Sequence, residues 1–203
     1  MIPVDAPITA IILLVAVVVI GVMAFGLTSA VVGYQESLVQ EQHEADQLTA
    51  ELELLAGPIV GTSSTGYNVT VLPYFYSQQY PSQVYLVAGV TNVSPYVLLF
   101  LSPSSSLPPS SVYVQGENIV NEQSAYKLLS SIYSVSGRQL NSEDVKAYVD
   151  SPSSPQSKGV PITFHFSTPG DYVVFWVVAE VGANYYLIGT YAESNSSSLI
   201  QVS

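Results

Sequence analysis

Between Asp5 and Glu36 the chain carries no charged side chain, and from Ile8 to Val32 it is nearly continuous Ile, Leu, Val and Ala. Coiled into a helix at about 1.5 Å per residue, that stretch is roughly 37 Å long, enough to cross a hydrocarbon layer of about 30 Å. A helix buried in a globular core shows a polar stripe, and this one is apolar all round. A removable signal peptide has a basic leading end and an apolar part of only about 7 to 15 residues, and neither feature is present. The stretch must find lipid or like neighbours. Pro7 suits the first helical turn, where its missing N–H would have no partner anyway.

The helical pattern continues past Val32. Tyr34, Leu38, Glu41, Ala45, Leu48, Leu52 and Leu55 recur at alternating steps of four and three, the narrow seam that one helix offers another, with Glu41 as its one break. Gly57 and Pro58 then read as a stop, the first a left-handed cap and the second a residue that cannot continue the turn. The expected rod, Ile8 to Leu55, is on the order of 70 Å long. Its lower half, with Leu48, Leu52 and Leu55, can lie on the chain's own following domain, while its upper half faces neighbours.

From Tyr67 the period changes from helical to two. Strands are predicted near Tyr67 to Phe75, Val84 to Thr91, Tyr96 to Leu101, Ser111 to Gln115, Pro161 to Phe166, Tyr172 to Val181, Tyr185 to Tyr191 and Ser198 to Val202. The run from Asp171 to Glu180 is apolar on both faces and should be central, with a tight turn at Gly182, Ala183 and Asn184. Asn121 to Tyr133 and Asn141 to Val149 read as two short Asn-capped helices set between the halves of the β domain, with Glu143 and Asp144 serving a helix start. Ser102 to Ser111 and Ser151 to Ser157 read as exposed Ser/Pro-rich loops. The segment Ser167-Thr-Pro-Gly-Asp-Tyr172 resembles the strand junction of immunoglobulin-like domains, where a tyrosine ties the corner. The expected class is therefore α+β: residues 1–57 a long apolar helix and its amphipathic continuation, 58–66 a linker, and 67–203 an immunoglobulin-like β-sandwich with short inserted helices.

Charge excludes one class of partner. Only Lys127, Arg138, Lys146 and Lys158 are basic, and a net charge of −11 repels nucleic acid. With no cysteine there is neither a disulfide framework nor a thiolate metal site. His43 and His165, the two histidines, stand at no metal-ligand spacing, and neither a nucleophile elbow nor a phosphate-binding glycine loop is present, so no catalytic role and no cofactor are expected. Asn68-Val-Thr70, Asn92-Val-Ser94 and Asn195-Ser-Ser197 fit the N-glycosylation acceptor pattern, which matters if the domain lies outside the cytosol.

The opening Ala6-Pro7-Ile8-Thr9-Ala10-Ile11-Ile12-Leu13-Leu14-Val15-Ala16-Val17 resembles that of archaeal type IV pilins and archaellins, which begin Ser/Ala-Pro-Val/Ile and run on as an Ile/Leu/Val-rich helix. The resemblance implies a cell-surface filament subunit, held in the membrane before assembly. Its helix, with Ile8, Ile11, Ile12, Val15, Val19, Val22 and Phe25, would bury against copies of itself. The seam of Tyr34, Leu38, Ala45, Leu48, Leu52 and Leu55 would continue the contact, and glycosylated β domains would form the wall. Members carry a basic leader ending in Lys/Arg-Gly, and Met1 to Asp5 contains none, so the resemblance implies either a chain that starts after processing or one that stays in the membrane. Asp5 falls where many bacterial pilins place a glutamate that meets a neighbour's amino terminus; an acid at the positive end of the helix dipole is the other reading of it. The rival to a filament subunit is a single-pass anchored accessory protein, similar to archaellum stator components, that grips the surface layer.

Overall fold

A computed structural model describes residues 5–62, 66–76, 83–92, 108–150, 160–168, 171–194 and 199–202, with the backbone alone at 5–9, 62 and 199–202. The chain divides into two compact units, Met1–Gln40 and Glu41–Ser203. The first is helical throughout its described length, as part of helix α1, Asp5–Glu51. It is long and apolar enough to cross a membrane.

The second unit takes in the last turns of α1 and is otherwise built of strands. They are β1 (Leu52–Ala56), β2 (Val60–Thr62), β3 (Gly66–Phe75), β4 (Val84–Thr91), β5 (Ser111–Val114), β6 (Glu117–Asn118), β7 (Tyr126–Leu129), β8 (Ile132–Ser134), β9 (Val145–Asp150), β10 (Ile162–Phe166), β11 (Tyr172–Val181), β12 (Asn184–Ser194) and β13 (Leu199–Val202). Among the described residues they form two sheets. One runs β1-β3-β10-β5-β6, with β2 also on β3; the other runs β13-β12-β11-β4-β9-β7, with β8 parallel to β12. The inward side chains of both meet in one core: Val69, Val71, Ile162 and Phe164 from the first sheet, Leu86, Val173, Phe175, Val177 and Ile188 from the second. Phe164 joins the two, with its ring 5.7 Å from that of Phe175 and 5.8 Å from that of Tyr148. The fold class is thus α+β, one long apolar helix and a strand-rich unit.

Strand β11 is central, as its two apolar faces require. It pairs with β4 on one side and β12 on the other, and while Val173, Phe175 and Val177 enter the shared core, Val174, Trp176 and Val178 enter a second cluster with Tyr85, Val87, Leu129 and Ile132. The β11–β12 turn sits where the sequence puts it, closed by Gly182 at φ +60°.

Several expectations are corrected. The helix ends at Glu51, not at Leu55, because Leu52 to Ala56 pair antiparallel with Phe75 to Val71. Leu52-Glu-Leu54 alternates inward, outward, inward with a strand's period, so Leu55 falls on the outer face, exposed. Gly57 continues that ladder by donating its N–H to the Thr70 carbonyl at 2.7 Å, and the Gly57-Pro58 pair separates β1 from β2 instead of capping a helix. The expected linker, 58–66, therefore holds a strand, Val60–Thr62 on Asn68–Gly66.

The two inserted helices are strands as well: Asn121 to Tyr133 holds β7 and the start of β8, and Asn141 to Val149 leads into β9. Tyr126, Ile132, Tyr133, Val145, Tyr148 and Val149 are aromatic or β-branched and favour a pleated surface. Asn141 does not cap a helix. Its buried amide accepts from the Ile132 N–H at 2.6 Å and donates to the Leu129 and Glu143 carbonyls at 3.1 and 2.9 Å, cross-tying the loop between β8 and β9 to the β7–β8 turn. A short amide that finds backbone partners in a loop competes directly with helix formation. The strand expected at Tyr96 to Leu101, the loop at Ser151 to Ser157 and most of the loop at Ser102 to Ser111 lie outside the described residues; of the last, Pro109 is buried.

Candidate apolar interface and the foot of the helix

Every residue from Ala10 to Ser37 is exposed. Of the residues expected to face lipid or neighbours, Ile11, Ile12, Val15, Val19, Val22 and Phe25 are all exposed, from 45% of the residue at Val19 to 76% at Phe25. Ile8 and Asp5 lie on the helix by their backbones, Asp5 as its first residue. Gly21, Gly26 and Gly33 have nothing within 4 Å of the position a Cβ would take.

The seam divides. Tyr34 is exposed and Leu38 half-buried, whereas Ala45, Leu48 and Leu52 belong to the core of the β unit together with Tyr186 and Ile188. Leu52 packs against Gly189, where an added Cβ would come within 2.7 Å of its Cδ2, and its carbonyl accepts from the Tyr191 hydroxyl at 3.4 Å.

Glu41, the break in the seam, turns out to be a contact. Its carboxylate accepts from Asn184 Nδ2 at 2.7 Å and from the Tyr186 hydroxyl at 3.3 Å, and it lies over Gly182, whose missing side chain makes the room. Gly137, at φ +81°, makes similar room for Gln42. Two left-handed glycines in separate turns thus receive consecutive polar residues of the helix. Removing the acid takes away the acceptor of Asn184 Nδ2 and one contact of Tyr186, so Glu41→Ala should cost about 1–2 kcal/mol in unfolding free energy, read by denaturant titration of Trp176 fluorescence, while Glu44→Ala, on an exposed position, should change nothing measurable.

Elsewhere polar groups are committed within the fold. His165 Nδ1 meets Asn68 Oδ1 at 2.7 Å on the outer face of β10 and β3, so the Asn68 acceptor is half-buried and engaged. Asn92 is exposed and accepts from the Asp171 N–H at 3.1 Å; Asn195 lies outside the described residues. Lys127 sits 4.8 Å from the Tyr185 ring centroid and 3.7 Å from Glu180, which also accepts from the Tyr85 hydroxyl at 2.7 Å. Lys146 lies 4.0 Å over the Tyr126 ring and donates to the Val120 carbonyl. Tyr172 opens β11, half-buried against the second cluster. Among the described residues no three His, Asp or Glu side chains converge as a metal site.

No known protein family's sequence profile matches this chain, and no curated protein does. Among solved structures it is similar to the human F-spondin reeler domain (fragment 1), at 13% identity and a TM-score of 0.34, over 68% of this chain and 80% of that one.

Proposed function

We propose that this chain is a structural, non-catalytic subunit of an archaeal type IV pilus-like surface filament. In this reading the N-terminal helices bundle with copies of themselves, after a period in the membrane, and the β unit is an immunoglobulin-like, glycosylated domain of the extracellular wall, with the exposed Asn92 as one acceptor. The observation that carries the reading is the exposed apolar surface from Ile11 to Val32. At about 1.5–3 kcal/mol for each large apolar side chain removed from water, its burial is worth on the order of 20 kcal/mol, too much to leave to solvent. The β unit meanwhile closes on a core of its own.

Electron microscopy of the native protein tests this directly, and fibres are expected. Detergent-bound monomers or small oligomers would instead favour the membrane-anchored accessory protein that binds a surface layer.

A further inference from the structure

Two carboxylates lie inside the β unit with no cation beside them among the described residues. Asp150, 1% exposed, closes β9 opposite Val84; its Oδ1 accepts from the Val160 N–H at 3.0 Å and its Oδ2 has no partner. Glu193, 7% exposed, lies on β12 opposite Val173, and its Oε2 is likewise unpartnered. Val84 and Val173 both belong to the core between the sheets, so the two acids lie on its inner side, near opposite ends of β4.

Among the described residues the groups around them offer no positive charge. On its own strand Asp150 is preceded by Tyr148 and Lys146, the latter taken up by the Val120 carbonyl and two tyrosine rings. Tyr85 on β4 and Glu180 on β11 belong to the opposite face, where they bind each other and Lys127. Along its own strand Glu193 has Tyr191, and the titratable side chain that the first sheet sends into the core is Tyr67, whose hydroxyl is itself unpartnered. The foot of α1 adds Glu41, held by Asn184 and Tyr186. An ionised carboxylate buried without a cation costs several kcal/mol, whereas a neutral acid does not carry that penalty.

We propose that the β unit is built to be strongest in acid, with the buried sites of Asp150 and Glu193 both favouring the neutral carboxylic acid over the carboxylate. Burial pushes the Asp150 carboxyl up to about 6 and raises that of Glu193. The folded chain therefore binds the Asp150 proton more tightly than the unfolded chain, whose aspartates titrate near about 3.9. Stability from this group is complete below that value and is lost as the pH rises through about 6. The proposal concerns the β unit's surroundings and stands whether or not the chain forms filaments.

The test is thermal unfolding of the full chain in non-ionic detergent, followed through Trp176, the single tryptophan, which is buried in β11. The midpoint should rise by on the order of 5 °C from about pH 7.5 to about pH 4. Asp150→Asn should raise the neutral midpoint and flatten the profile, which separates this group from the general relief of negative charge on acidification. A wild-type midpoint that stays level or falls on acidification overturns the proposal. Should Asp150→Asn misfold, infrared spectra of the wild type near about pH 5 decide: a carbonyl stretch from a buried protonated acid is expected, and its absence overturns the assignment.

Discussion

Val19→Lys should weaken both assembly and membrane partitioning by roughly a hundredfold while leaving the β unit folded. Val19 stands near the middle of the apolar run, exposed along a helix with no charged neighbour from Ala6 to Gln35. A lysine at the centre of a membrane-spanning helix costs about 3 kcal/mol, roughly a hundredfold in partitioning, and in a bundle of identical helices each copy would bring its own unpaired charge. Sedimentation of fibres and detergent-phase partitioning measure the two losses, and unchanged Trp176 fluorescence shows that the β unit has not unfolded. Val19→Leu, of matching character, should behave as wild type. If the lysine variant pelleted and partitioned normally, the helix would be touching neither lipid nor like helices, and the proposed role would fail.

Asn141→Ala should be the most destabilising polar substitution in the β unit. The side chain makes three hydrogen bonds to backbone groups, and truncation removes the acceptor of the Ile132 N–H and the donors to the Leu129 and Glu143 carbonyls in a site only 4% exposed. Each stranded buried group costs about 1–3 kcal/mol, so a loss of about 3–4 kcal/mol is expected in denaturant unfolding. Asn141→Asp keeps the acceptor for Ile132 and loses the two donors, so it should also be strongly destabilising. A loss below about 1 kcal/mol for the alanine variant would mean that the loop between β8 and β9 is held by something other than this amide.

Both predictions mark where sequence reasoning succeeded and where it stopped. The apolar run could be read from the residues because it needs no tertiary partner to be recognised: thirty uncharged positions have few physical outcomes. The central strand was readable for the same reason, since Tyr172 to Val181 is apolar on both faces and only a middle strand buries both. Leu52 to Ala56 was ambiguous. Its leucines continue a seam at helical spacing and also alternate as a strand, and only the edge of β3, waiting opposite from Phe75 to Val71, decides between them. The segments from Asn121 and from Asn141 misled because asparagine is as good a loop hub as a helix cap, and the difference lies in whether carbonyls such as that of Leu129, twelve residues away, come within reach.

Of the candidate interface, the upper helix was legible and the foot was not. Glu41 looks like a flaw in a seam until Asn184, Tyr186 and the bare backbone of Gly182 are brought to it from more than a hundred residues downstream. The buried acids follow the same pattern, since nothing local to Asp150 or Glu193 says that water will be excluded around them.

The sequence by itself thus determined that this chain has an uncharged helix needing an apolar partner and a β-rich unit with almost no cations, because length, charge and periodicity are properties of consecutive residues. Only the tertiary structure decided where the helix yields to β1, which asparagine ties the loops, and which carboxylates lose their water. Each of those outcomes is set by groups that sequence separates and folding brings to within a few ångströms.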